Sequence, residues 1–167
     1  MFMYQEYNRY ILPEHYNDPY GIHGISHARR VLYLADKIAE KCDLTKEEER
    51  ILGLACCYHD IGRVHNDRDI LHGKLSCKKI EKLELLDGFG LGEEEKKLIL
   101  RLISYHCLND ALFTGTEREK YLFNILKDAD GLDRVRIFDL NPAYLRLDAS
   151  RELVDLAWGL YRFCTGL

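Results

Sequence analysis

Apolar residues recur every three or four positions through most of this chain, while alternation with a period of two is scarce. A period near 3.6 lines one stripe of a helix and suits no half-buried strand, so the expected fold class is all-α. The expected architecture is a single-domain helical bundle of about six helices over residues 1–167, joined by short loops containing Gly or Asp. With 167 residues, 47% of them hydrophobic and 31% charged, the chain can build one sizeable core.

The first long helix is expected from about Ser26 to Cys42, with Ser26 as N-cap and Val31, Leu34 and Ile38 on its inner face. Thr45 followed by Glu48 forms a capping-box pattern that opens the second, whose inner face runs Leu52, Ala55, Cys56, His59. A third should follow from Gly73 to about Leu86, and a fourth from Glu93 to Cys107 with an acidic first turn that suits the helix dipole. The fifth, about Arg118 to Leu132, places Leu122, Leu126 and Asp130 at successive four-residue steps. The last should cover Ser150 to Phe163.

Four of these stripes carry an ionisable residue where an apolar one is expected: His27, the adjacent His59 and Asp60, His106, and Asp130. Any one of them alone reads more simply as a satisfied core residue. Together they need a common cause, because buried imidazoles and carboxylates are costly unless a hydrogen-bonded network or a shared cation compensates them. Convergence of His with Asp favours the cation.

These residues also resemble a known family. His27, then 31 residues to His59-Asp60, then the distant Asp130, is similar to the pattern of the HD-domain metal-dependent phosphohydrolases. The stretches GIHGISHARRV, CYHDIGR, ILHG, ISYHC and LKDADGLDR, in that order, extend the likeness from about His23 to Arg136. The resemblance implies a helical bundle around a metal, with His27, His59, Asp60 and Asp130 as ligands of a first ion. His72, twelve positions after Asp60, and His106 match the binuclear members, which implies a second ion with Asp60 as the bridge. The plainer readings are a solvent-exposed loop residue for His72 and a helix-end cap for His106. Two divalent ions per chain are therefore expected. Iron(II) or manganese(II) is preferred; nickel, cobalt and zinc are compatible, and magnesium prefers a set richer in oxygen.

Two ions 3.5–4 Å apart, on the order of the spacing in two-metal enzymes, activate water and stabilise a transferring phosphoryl group. Hydrolysis of a phosphate ester or anhydride in a small phosphorylated molecule such as a nucleotide is the expected reaction, with Asp60 and Arg63 as its catalytic residues. Arg63 lies three positions past Asp60 and leads the candidates for binding phosphate oxygens; Arg30, Lys74 and Arg134, together with Arg29, are further cations. His65 lies in the following loop, where it can face a leaving group, and His23 precedes His27 by four positions, one turn away if the helix starts early enough. Both are candidate substrate contacts, while His15 reads as structural.

A net charge of −4, with both signs scattered, lacks the basic footprint of a nucleic-acid-polymer binder. The six cysteines form no C-x-x-C pair and the start shows no signal-peptide pattern, so a cytoplasmic setting with Cys56 and Cys57 as buried apolar residues is expected. No apolar run is long enough for a membrane span. Two other classes remain open: an HD-fold di-iron oxygenase using the same six ligands, and a non-catalytic nucleotide-binding regulatory module.

Overall fold

The computed structural model describes residues 3–166. Eight α-helices run through them: α1 (Met3–Tyr7), α2 (Ile25–Ala39), α3 (Lys46–Tyr58), α4 (His72–Lys82), α5 (Glu93–Tyr105), α6 (Glu117–Leu132), α7 (Asp148–Arg151) and α8 (Val154–Thr165). No strand occurs among the described residues, and no helix is long and apolar enough to cross a membrane. All six cysteines are free thiols, with Cys56 and Cys57 buried as expected.

Helix α2 buries Ala28, Val31, Leu32, Leu34, Ala35 and Ile38 completely because it lies between α3 and α6. Helices α4 and α5 pack on each other, and α3 also contacts α5, so the buried side chains form one cluster across both groups. This arrangement brings the starts of α2 and α4 to the same end of the bundle as the ends of α3, α5 and α6. His27, His59, Asp60, His106 and Asp130 all lie at that end.

Several boundaries differ from expectation. Helix α2 begins at Ile25 with Gly24 as N-cap, and Ser26 is exposed within the first turn. The chain folds back there: the Ile25 N–H donates to the Pro19 carbonyl at 2.9 Å, and a Cβ on Gly24 would stand 2.2 Å from that oxygen. Helix α2 stops at Ala39, and turn hydrogen bonds carry the chain through Cys42. Helix α3 starts as its capping box dictates, with Thr45 accepting from the Glu48 N–H and Glu48 accepting from the Thr45 N–H. A second capping box, Thr116 with Glu119, sets the start of α6.

Helix α4 begins one residue early, at His72, and ends at Lys82, shortly before Glu84 takes a left-handed conformation (φ 52°). The expected last helix is divided. A tight turn closed by the Leu153 N–H to the Ser150 carbonyl separates α7 from α8, and Leu153 and Ala157 both reach the core. The bundle also includes α1, which the apolar periodicity does not signal. It buries Met3 and Tyr7 and leads into a segment whose Ile11 and Tyr16 are buried, with the Tyr16 hydroxyl donating to the Cys57 carbonyl at 3.0 Å.

Candidate metal centre

Helix α3 runs directly into its C-cap His59, still in helical backbone geometry, and Asp60 follows in the turn. Ser76 of α4 secures this corner: its hydroxyl donates to the His59 carbonyl at 2.7 Å and accepts the Gly62 N–H at 2.9 Å. Gly62 is required here, since a Cβ would lie 2.1 Å from the Ser76 backbone nitrogen. The close approach of the two backbones sets His72, the first residue of α4, against Asp60.

Five side chains predicted from the sequence, those of His27, His59, His72, His106 and Asp130, meet around the carboxylate of the sixth, Asp60. The Nε2 atoms of His27 and His59 stand 3.1 Å apart on one side, and those of His72 and His106 stand 2.9 Å apart on the other. Asp60 divides its oxygens between them. Its Oδ2 lies 3.3 Å from His27 Nε2 and 3.9 Å from His59 Nε2, while its Oδ1 lies 3.0 Å from His72 Nε2 and 3.4 Å from His106 Nε2. Asp130 Oδ1 joins the first group at 3.4 Å from His27 Nε2. His72 is thus buried at a helix start rather than exposed in a loop.

The opposite ring nitrogens explain the orientation of the imidazoles. Nδ1 of His59 donates to the Cys56 carbonyl at 2.9 Å, that of His72 to the Asp69 carbonyl at 2.5 Å, and that of His106 to the Ile103 carbonyl at 2.7 Å. A carbonyl can only accept, so each ring keeps its proton on Nδ1 and turns the Nε2 lone pair inward. Nδ1 of His27 faces the Asp133 carboxylate at 2.7 Å.

Two imidazole lone pairs about 3 Å apart repel unless something positive lies between them. Burial pushes the His59 imidazole down to about 3, which keeps it a neutral donor. Burial alone would raise the Asp60 carboxyl, and positive charge or proton donation from the surrounding His59, His106, His23 and His27 lowers it well below the ordinary carboxylate range, a service that a cation would supply where those nitrogens present lone pairs instead. The Oδ1 atom of Asp60 is buried with no hydrogen-bond partner of acceptable geometry. Converging imidazole nitrogens, a carboxylate shared between them and an orphaned oxygen together fit a divalent cation, and several overlapping His/Asp groups here have the spacing to hold one.

An open cavity of about 1120 Å³ reaches this centre. Arg63, Arg68, Lys127, Arg134, Arg136 and Arg146 line it. Several of these charges are already balanced. Lys127 and Arg146 pair with Asp110, and Arg134 pairs with Asp139 at the rim. Arg63 remains close to the centre, with its Nε 3.4 Å from Asp60 Oδ2 and its Nη1 donating to the Asp67 carbonyl at 3.1 Å.

The other candidate substrate contacts are placed unequally. His23 lies beside the centre, its Nδ1 2.9 Å from Asp60 Oδ2 and 3.2 Å from Arg136 Nη2. His65 lines a small annex shared with His23 and Arg63. Lys74 is exposed on α4 and lies outside both cavities, because it projects from the turn that carries His72 inward. Arg30 is buried and bonded to Asp133 instead of reaching the cavity. Sequence reasoning missed Asp133 and Arg136. Their signal was the position of Asp133 three residues after Asp130, where a helix would hold both near one face.

The chain matches the family model of the HD domain over residues 24–135. No curated protein and no solved structure gives a significant match.

Proposed function

The chain belongs to the HD-domain family, a superfamily of metal-dependent hydrolases, and from that premise we propose that it is a binuclear phosphohydrolase acting on a small phosphorylated molecule such as a nucleotide. The observation that carries this reading is the division of one carboxylate between two imidazole pairs. Asp60 offers Oδ2 to His27 and His59 and Oδ1 to His72 and His106. A one-cation centre would leave His72 and His106 facing each other without purpose. In the proposed centre His27, His59, Asp60 and Asp130 hold one ion, and His72, His106 and Asp60 hold the other.

Two such ions supply an acidified water and positive charge for a phosphoryl group. The remaining work falls to the chain. The Arg63 guanidinium, partly covered beside Asp60, is placed to bind the non-bridging phosphate oxygens through a forked pair of N–H groups. His23 and Arg136 line the same cavity next to it and are in contact with each other. The cavity volume exceeds what a lone phosphate needs and suits a nucleotide-sized molecule. Histidine-rich donor sets favour iron(II) or manganese(II) over magnesium.

Anaerobic reconstitution with iron(II) or manganese(II), elemental analysis and a screen of phosphodiesters and nucleotides test the proposal. Two ions per chain and turnover of at least one phosphate ester or anhydride are expected, and Asp60→Ala should abolish both. One ion in the wild type, or an Asp60→Ala protein with full metal content and rate, would overturn it.

A further inference from the structure

Three of the four inward-facing imidazoles are oriented by backbone carbonyls, but His27 is oriented by a carboxylate. That carboxylate, Asp133, lies one residue beyond α6 and is almost fully buried. Arg30 of α2 grips it with two parallel bonds, Nε to Oδ1 at 2.6 Å and Nη2 to Oδ2 at 3.1 Å. Arg136 adds a third contact, its Nη1 3.5 Å from Oδ2, and donates to the Asp133 carbonyl at 3.1 Å. The carboxylate therefore has no freedom to rotate away from His27, and its charge is balanced by guanidiniums rather than by water.

We propose that Asp133 is the positioning residue of the first cation site: it fixes the His27 ring with Nδ1 protonated and Nε2 inward, and it makes this imidazole a stronger donor than the three held by carbonyls. The proposal rests on the metal-centre reading above. Arg30 holds Asp133 in place and tempers its charge, so the two residues act as one device, and the buried arginine has a task other than substrate binding. A carboxylate behind a metal-binding imidazole contributes about 10–100-fold to metal affinity in comparable settings. The two cation sites of this chain are consequently unequal, and the one backed by Asp133 is the tighter.

Zinc titrations against a chromophoric chelator test this in two single-site backgrounds, His72→Ala for the first site and Asp130→Ala for the second. Asp133→Asn keeps an acceptor for Nδ1–H and nearly the same shape but loses the charge. It should weaken zinc binding about tenfold or more in the His72→Ala background and leave affinity unchanged in the Asp130→Ala background, with unaltered far-UV circular dichroism. A merely structural Asp133 would weaken both sites alike, which would overturn the proposal, as would unchanged affinity at both. Imidazole nitrogen NMR of the unsubstituted, zinc-loaded protein gives a test that does not depend on any variant folding. His27 should carry its proton on Nδ1, in slow exchange, and a His27 without that proton refutes the assignment. If the His72→Ala parent binds no zinc at all, the metal-centre reading itself fails, an outcome distinct from either result for Asp133.

Discussion

Replacing Gly73 by alanine should damage the second cation site from a position that supplies no ligand atom. Gly73 follows His72 in the first turn of α4, where that helix crosses α5. A Cβ added there would lie 2.5 Å from the Ile103 carbonyl oxygen and 2.8 Å from that of Ser104. Ordinary contact begins near 3.4 Å, so the two helices must part by almost 1 Å. Both obstacles are backbone atoms inside a helix and cannot swing aside. His72 and His106, one at the start of α4 and the other just past α5, would separate by a similar amount from their present 2.9 Å. Constellations of this kind tolerate about 0.5 Å of error.

The stability balance has two opposing parts. Alanine gains roughly 1 kcal/mol over glycine in helix propensity, whereas overpacking against an unyielding neighbour costs about 1–3 kcal/mol. Because the clash is with backbone, the upper part of that range applies and a net loss of about 1–2 kcal/mol follows. For a chain of this size that lowers Tm by roughly 2–8 °C. Melting of metal-free protein isolates the packing effect, and elemental analysis after reconstitution reads the site. The substituted protein should melt earlier and hold close to one ion per chain. An unchanged or raised Tm together with two ions would show that α4 and α5 do not approach as closely as described.

Two other substitutions probe separate parts of the molecule. Arg63→Ala should leave metal content intact and slow turnover by about 10²–10³, the usual consequence of removing one donor from a developing charge; an undiminished rate at saturating substrate would remove Arg63 from phosphate binding. Thr116→Ala breaks the capping box of α6 and should cost about 1 kcal/mol, a fall of roughly 2–4 °C in Tm, with turnover unaffected. Equal stability would show that Glu119 alone suffices at that helix start.

What the sequence reveals about this chain is mostly what local spacing encodes. Thr45 and Glu48 are three residues apart and settle the start of α3 between themselves, so that boundary was legible. Thr116 and Glu119 carry the same signal, although a start at Arg118 was expected from the apolar stripe alone. His27, His59, Asp60, His106 and Asp130 were legible because each interrupts an inner stripe or follows one closely, whereas His72 stands outside any stripe and was reached only through the family resemblance. Gly24 as the N-cap of α2 was not, since it depends on the chain returning to Pro19. The partnership of Arg30 with Asp133 joins α2 to the end of α6, and the sequence shows only an arginine one turn after His27. It gives no hint of which carboxylate waits there. Lys74 lies outside the cavity for a related reason: its nearness to His72 in sequence says nothing about the direction in which its side chain leaves the helix.

The separation of the ligands along the chain has a consequence for how the protein reaches its native state. His72 and His106 are 34 positions apart and His27 and His59 are 32, whereas His27 and Asp133 are 106 apart. Segments joined by short connections can meet early, while docking the end of α6 onto the start of α2 closes the longest of these loops and bears the largest entropic cost. A cation bound through Asp60 and Asp130 ties that late contact to the rest. Its binding free energy then counts as folding free energy, and the seam between α2 and α6 should be where amide exchange quickens first when the ions are stripped.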